Sequence, residues 1–379
     1  MVLTSRNNSS AEEESLIKLL LITVYGQVRH ACRHLWAQCK PYFDLSGDEA
    51  QTVIVAGSAR SGTTWVGDVI ASLMGSRPIF EPFLFDGSED FALPKQRFLS
   101  EAGLRRNHQL YIRPEEGSTS RHYVPIQSIL RGRVRGAWCD SQTRIGVYRR
   151  RLIKEIRVNL FLAYLAKTWP ALRIIWLIRN PFDVIDSQIA QTRTRKGWTF
   201  DWDVRDVLSQ QKLLTDWLAP FVPSMKRASS LPERLAHKWC VETYVPLRQE
   251  VHAHPGVLLV RYEELKSRPE ENWKRIARFL SAETWQGPAF ELAIRRPSRT
   301  SRKPGHVPPG PTNQHAYLSQ WDKETIREVL HEYGLSNLYP ENDGVTPAPD
   351  PDYDSSLPGG GTFSGVPWSD KHPAGQKRE

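Results

Sequence analysis

The sequence predicts an α/β protein with a P-loop-like, three-layer architecture, in which helices cover both faces of a central parallel sheet. Short apolar runs cover residues 52–56, 172–178 and 256–260, and each precedes a segment whose apolar residues have helical spacing. Near-continuous apolar runs are typical of strands that are buried on both faces of a parallel sheet. Ligands of such sheets bind outside the carboxyl ends of the strands, so the residues after each run are candidate site residues.

The turn after the first apolar run predicts a phosphate-binding loop. It reads GSARSGTTW over residues 57–65 and leads into an apolar-periodic helix. A glycine-bounded turn at a helix start points backbone N–H groups at one spot, where the helix dipole also favours negative charge. A nucleotide-hydrolysing loop carries a lysine after its second glycine. Here Thr63 takes that position, and Arg60 supplies the positive charge instead.

This loop resembles the 5′-phosphosulfate loop of the sulfotransferases that use 3′-phosphoadenosine 5′-phosphosulfate (PAPS), in which a basic residue precedes Ser-Gly-Thr-Thr or a close variant. Two further motifs occur in the family's order. Arg179 at a strand end and Ser187 in the following helix resemble the family's 3′-phosphate site. Residues 260–280 are similar to a strand-and-helix unit found late in these domains. The resemblance covers roughly residues 50 to 335 and implies a PAPS-dependent sulfotransferase that needs no metal.

The resemblance implies two groups of donor-binding residues. Arg179 and Ser187 would hold the 3′-phosphate, which distinguishes this donor from ATP. Trp65 resembles the family's adenine-stacking aromatic, and a core position on the helix face is the alternative. The loop residues that would bind the donor are Arg60, Ser61, Gly62, Thr63, Thr64 and Trp65.

Three residues are candidates for catalysis. Sulfuryl transfer needs a cation at the departing phosphate oxygen and a base for the acceptor hydroxyl. The resemblance implies that Arg60 supplies the cation, that Lys154 assists as an electrophile and that Glu81 is the base. Glu81 stands where tyrosylprotein and several carbohydrate sulfotransferases have a glutamate, which favours a carbohydrate hydroxyl as acceptor. The cytosolic small-molecule branch has a histidine two residues after the lysine, where this chain has Ile156.

Other assignments remain open for the catalytic base. Glu81 could instead form a salt bridge or cap a helix, which is the ordinary role of a buried carboxylate. His122 and Glu155 are further candidates for the base.

The charge of the chain leaves two other function classes open. The net charge is +9 with a pI near 9.4, which predicts anionic partners. A non-catalytic binder of acidic glycans is one alternative, and a P-loop nucleotide kinase or hydrolase is the other, although the loop lacks its lysine. The arginines between residues 131 and 151 could grip an acidic acceptor or form a solvated face. No sequence signature of a nucleic-acid-binding domain is present.

The chain divides into three predicted regions: an N-terminal helical extension (1–46), the sulfotransferase domain (47–340) and a disordered tail (341–379) rich in Pro, Gly, Asp and Ser. The apolar stretch 16–25 contains Lys18 and is shorter than the about 20 residues that span a bilayer. It predicts a helix packed on the domain, with weak contact to a membrane surface as the alternative. Four scattered cysteines favour a reducing, cytoplasmic location.

Overall fold

The computed structural model describes residues 41–84, 109–136, 138–194, 200, 202–282, 285–296 and 315–339. Two of the predicted regions, the tail and most of the N-terminal extension with its apolar stretch, lie outside these residues. Within the described ranges, no helix combines the length and the apolarity that crossing a bilayer requires.

In the described part of the chain, seven strands form two parallel sheets, and the larger sheet confirms the predicted central sheet. The strands are β1 (Tyr42–Asp44), β2 (Thr52–Ala56), β3 (Arg77–Phe80), β4 (Gly146–Tyr148), β5 (Arg151–Glu155), β6 (Arg173–Ile178) and β7 (Val257–Arg261). The central sheet has the order β3-β5-β2-β6-β7, and every neighbouring pair in it is parallel. The remaining two strands, β1 and β4, pair in a small parallel sheet of their own.

Helices connect the strands and enclose the sheet. They are α1 (Thr63–Met74), α2 (Tyr123–Leu130), α3 (Leu162–Thr168), α4 (Pro181–Thr194), α5 (Val204–Leu208), α6 (Gln211–Leu213), α7 (Val222–Arg227), α8 (Leu231–Arg248), α9 (Tyr262–Ser267), α10 (Pro269–Phe279), α11 (Gly287–Arg295) and α12 (Gln320–Glu332). Among the described connections are short 3₁₀ helices and a π-helical turn at Leu214–Leu218.

Alternate residues of the central strands pack against different helices, which confirms the three-layer arrangement. Ile54 and Trp176 pack with residues of α2 and α3 in one core cluster. Val55 and Ile175, their neighbours along the same strands, pack with α1, α10 and α11 in another cluster. Successive strand residues point to opposite faces, so both faces of the sheet are covered. This explains why the central strands read as continuous apolar runs.

Two buried arginines attach the small sheet to the amino-terminal ends of β3 and β5. Arg77 lies 2.9 Å from Asp44 and 2.9 Å from Asp140, and Arg151 lies 3.2 Å from Asp44. The Arg77 guanidinium also lies 4.4 Å from the ring centre of Tyr42. If β1 moved away, Arg77 and Arg151 would lose Asp44 and leave buried charges uncompensated, which is costly. The network therefore fixes β1 against the domain.

Candidate active site

The carboxyl ends of the central strands bring the predicted site residues to one edge of the sheet. The carboxyl-terminal part of β5 lies between those of β3 and β2, since Lys154 is in register with both Phe80 and Val55. This edge is where parallel α/β sheets bind their ligands. Taken in sheet order from β3 to β7, the residues that end or follow the strands are Glu81, Lys154, Arg60, Arg179 and Tyr262.

The predicted phosphate loop is held so close to its neighbours that two of its positions require glycine. A Cβ on Gly57 would lie 2.3 Å from the carbonyl oxygen of Leu177, and one on Gly62 would lie 2.5 Å from the Tyr262 ring. Both glycines have positive φ, at 155° and 93°. Arg60 also has a positive φ, of 75°, although it carries a side chain. Such strained conformations cluster at functional sites, where the surrounding structure holds them.

The start of α1 offers hydrogen-bond donors to an anion in the loop. The helix begins at Thr63, and its N-cap, Gly62, supplies no side chain to its first N–H groups. The hydroxyl oxygen of Ser61 is buried and has no hydrogen-bond partner among the described residues. Because a buried polar atom without a partner is costly, this hydroxyl is suited to a ligand oxygen.

The two predicted phosphate sites are joined directly. Arg60, from the loop, donates through Nε to the Ser187 hydroxyl at 3.0 Å. Arg179 donates through Nη1 to the carbonyl oxygen of Arg60 at 3.2 Å and through Nη2 to Asp183 at 3.1 Å. Its guanidinium lies 4.5 Å from the ring centre of Tyr262. These contacts orient two arginines that sequence analysis had assigned to opposite ends of the donor.

Glu81 lies in a buried network of charged side chains. Its Oε1 accepts a short hydrogen bond from Lys154 Nζ, and its Oε2 accepts one from Arg157 at 2.9 Å. Burial alone would raise the pKa of Glu81, but the charges of Lys154 and Arg157 outweigh burial and lower its pKa to about 2. Glu81 also has a positive φ, of 44°. The residue is therefore an ionised carboxylate in a strained conformation, held by two cations.

Glu155, the second candidate base, binds backbone groups of two loops. Its carboxylate accepts hydrogen bonds from the N–H groups of Phe83, Ile156 and Arg157 at 2.8, 2.8 and 3.2 Å. Complete burial raises its pKa, and the nearby charge of Glu81 acts in the same direction. Glu155 thus ties the turn after β3 to the turn after β5. His122, the third candidate, is buried immediately before α2.

The Trp65 ring is half-buried, and its contacts are with protein groups. The indole N–H donates to the carbonyl oxygen of Ile294 at 3.2 Å. The ring meets Tyr262 and Trp273 edge-on, with centroid distances of 5.9 and 5.7 Å. These contacts belong to the helix-face packing that the sequence offered as an alternative, and adenine stacking on Trp65 stays a prediction.

Sequence analysis had given no role to Arg157, Asp183 or Tyr262. Tyr262 lies within the strand-and-helix unit of residues 260–280, but only the fold brings its ring against Gly62 and Arg179. Arg157 lies just past the end of β5, so strand periodicity could not place its side chain. The charged run Lys154-Glu155-Ile156-Arg157 is the signal that could have marked it. Among the described residues, no group of three or more His, Cys, Asp or Glu side chains could hold a metal ion.

Comparison with known proteins gives the class of this enzyme. The chain belongs to the sulfotransferase family, whose model matches residues 52–287. Solved structures similar to it include a mouse sulfotransferase complexed with PAP, with 14% identity, a TM-score of 0.39 and coverage of 78% of this chain and 87% of that one. A sulfotransferase from Alicyclobacillus acidocaldarius has 13% identity, a TM-score of 0.37 and coverage of 76% and 94%. A search of curated proteins gives no significant match.

Membership of this family confirms the predicted enzyme class. It decides against the two alternatives that the charge and the loop left open, a nucleotide kinase or hydrolase and a non-catalytic binder of glycans. The family model includes the phosphate loop, Glu81, Lys154, Arg179 and Ser187 within its matched range.

The close approach of Tyr262 to Gly62 predicts that substitution of Gly62 destabilises the protein more than the same substitution of Gly75. Gly62→Asn should destabilise the protein by about 1–3 kcal/mol, because the new side chain would force the Tyr262 ring to move. Gly75→Asn is the matched control, since Gly75 caps the other end of α1 with a φ of 60° and no atom within 4 Å of its Cβ position. Urea unfolding of both variants measures the effect, and equal midpoints would contradict the close packing of the loop.

Proposed function

We propose that this sulfotransferase transfers the sulfuryl group of PAPS to a carbohydrate hydroxyl and releases adenosine 3′,5′-bisphosphate. The observation that carries the proposal is the hydrogen bond between Arg60 and Ser187, with Arg179 bound to the Arg60 carbonyl oxygen. A donor with phosphate groups at both its 5′ and 3′ positions needs cations at two places. Here a phosphate loop and a second arginine meet at the sheet edge.

The residues present fit both ends of this donor. The N–H groups of Ser61 to Thr64 and the unpartnered Ser61 hydroxyl suit the 5′-phosphosulfate. Arg179 and Ser187 suit the 3′-phosphate, and the buried Nε of Arg179 has no hydrogen-bond partner within the ranges that the structure describes. Arg60 reaches between the two groups, so it can stabilise the negative charge that develops on the departing phosphate oxygen.

Lys154 links donor binding to the strength of the base in this proposal. A carboxylate with a pKa of about 2 is a weak base at neutral pH. Among the charges that lower this pKa, that of Lys154 is the largest. An anionic sulfuryl group beside Lys154 would compete for its ammonium and weaken the pair with Glu81. Glu81 would then become more basic when the donor is in place.

The transfer step uses these residues in fixed roles. The acceptor oxygen forms a bond to sulfur while the bond between sulfur and the 5′-phosphate oxygen breaks. Glu81 takes the proton of the acceptor hydroxyl. Arg60 and Lys154 stabilise the charge that moves onto the departing phosphate oxygen and the sulfuryl oxygens. Arg157 touches Glu81 and acts as a positioning residue, because it holds the carboxylate at the site throughout.

A donor-binding assay tests the nucleotide assignment. Adenosine 3′,5′-bisphosphate should raise the melting temperature of the protein, whereas ATP with magnesium should raise it much less. Arg179→Ala should abolish the shift, because that residue is assigned to the 3′-phosphate. Arg173→Ala is the control, since Arg173 begins β6 and Arg179 follows its carboxyl end. Stabilisation by ATP equal to that by adenosine 3′,5′-bisphosphate would overturn the choice of donor.

A labelling assay tests the acceptor class. Glu81 follows Phe80 and precedes Pro82, an arrangement that resembles the carbohydrate branch. With radiolabelled PAPS, we expect label in a panel of sugars and none in phenols or hydrophobic alcohols. Label only in phenols would exclude the carbohydrate and would leave sulfuryl transfer itself supported.

The ion pair between Arg157 and Glu81 predicts that replacing Arg157 changes the dependence of activity on pH. In the donor-free enzyme Lys154 and Arg157 both pair with Glu81, so kcat/KM for the donor, which reports that form, should show no acid limb above about pH 4. Arg157→Met removes one cation, so the pKa of Glu81 should rise and an acid limb should appear between about pH 5 and 7. Activity is then lost as the pH falls, because Glu81 becomes protonated.

Two companion variants separate this effect from damage to the fold. Arg157→Lys keeps a positive charge and should keep the wild-type profile. Glu81→Gln should lose at least about a hundredfold in kcat while donor binding persists. An unchanged profile in Arg157→Met, or near-normal turnover in Glu81→Gln, would show that another group takes the proton.

A further inference from the structure

The small sheet has an outer face that is apolar and exposed. Phe43 and Leu45, in and just after β1, are 64% and 58% exposed. Val147 of β4 and Ile145 just before it are 60% and 67% exposed. Phe43 is in register with Val147, and partners in register lie on the same face of a sheet. We call the surface formed by these four residues the outer face.

The usual burial pattern of a strand is inverted in this part of the chain. The neighbours of the exposed Phe43 and Leu45 are Tyr42, Asp44 and Ser46, which point inward. Asp44 pairs with the buried arginines described above, and its Oδ1 also accepts from the Ser46 hydroxyl at 2.5 Å. A sheet seldom places polar side chains inside and large apolar side chains in water. Exposed apolar clusters of this kind commonly mark contact surfaces.

Exposed arginines flank the outer face. Arg144 immediately precedes Ile145, and Arg149 and Arg150 immediately follow β4. Arg133 is exposed as well, in the connection after α2. Among the nearby acidic residues, Asp44 pairs with Arg77 and Arg151, and Glu49 pairs with Arg131 at 2.7 Å. Asp48 is exposed and accepts a hydrogen bond from the N–H of Ala50, and the exposed arginines outnumber it. The surface is therefore apolar at its centre and cationic at its border.

From this arrangement we propose that the outer face docks the protein on an anionic lipid bilayer. Large apolar side chains enter the boundary between headgroups and acyl chains, while arginines at their border contact the anionic headgroups. The cationic border favours a negatively charged partner over a second copy of this basic chain, which would bring the same arginines together. The outer face differs from the apolar stretch 16–25, which was the earlier candidate for membrane contact.

The position of the outer face leaves the candidate active site accessible. β1 is attached through Asp44 to Arg77 and Arg151, which begin β3 and β5. The candidate active site lies at the carboxyl ends of the same strands, where Glu81 and Lys154 meet. A bilayer at the amino-terminal ends of the strands would therefore not cover the site.

Sedimentation with vesicles tests the proposal on the full-length chain. The protein should bind phosphatidylcholine vesicles that contain phosphatidylserine at least about tenfold more tightly than phosphatidylcholine alone, and added salt should weaken binding. The double variant Phe43→Ser/Val147→Ser should lose at least about tenfold of this affinity. The triple variant Arg144→Glu/Arg149→Glu/Arg150→Glu should lose at least as much.

Matched variants elsewhere on the surface serve as controls. Leu292→Ser/Trp321→Ser changes two other exposed apolar residues, which are 57% and 74% exposed, and should bind like wild type. Lys226→Glu/Arg227→Glu/Arg248→Glu changes three exposed basic residues and should retain most of the affinity. Thermal unfolding of every variant verifies that the fold is intact.

Four results would overturn the proposal. The first is no binding to phosphatidylserine vesicles, and the second is binding that Phe43→Ser/Val147→Ser leaves unchanged. The third is loss of binding in Leu20→Ser/Leu21→Ser while Phe43→Ser/Val147→Ser still binds, which would assign membrane contact to the N-terminal stretch. The fourth is a dimer, seen by analytical ultracentrifugation, that Phe43→Ser/Val147→Ser converts to a monomer, because a second copy would then cover the outer face.

Discussion

The candidate active site depends on the hydrogen bonds that tie Arg60 to Ser187 and Arg179. They connect a turn after β2 with the end of β6 and the helix that follows it, two segments that are far apart in the sequence. The turn can approach β6 so closely because Gly57 has no side chain that would clash with the carbonyl oxygen of Leu177. The parallel pairing of β2 with β6 sets the distance, and the glycine makes the contact sterically feasible.

A second constraint is the cost of burying charge beside this loop. Glu81, Lys154 and Arg157 are nearly inaccessible to water, and a buried ion network is seldom more stable than apolar residues of similar size. The backbone of Glu81 adds strain through its positive φ. The stability of the fold alone would not favour buried charges together with a strained backbone. The proposed reaction, which moves a proton and an anionic group at this place, would account for both the charges and the strain.

Much of this fold could be predicted from local patterns, because the apolar runs that form β2, β6 and β7 reflect burial on both faces of the sheet. The loop could be recognised for a similar reason, since its glycines and Arg60 are consecutive in the sequence. The contacts of Arg157 and Tyr262 could not be predicted, because they depend on which strands are neighbours. The inverted burial of β1 was equally hidden, since its polar residues face arginines that belong to other strands.

One strand, β5, contributes to both the candidate active site and the support of the outer face, through residues near its two ends. Arg151 begins this strand and pairs with Asp44 beneath the outer face, and Lys154, three residues later, pairs with Glu81 at the opposite edge. A strand rises by about 3.3 Å per residue, so the two ion pairs are separated by roughly 10 Å along it. A bilayer held at the outer face would thus leave the candidate active site directed away from the lipid. That orientation suits an acceptor in water, such as a glycan, better than a headgroup of the same bilayer.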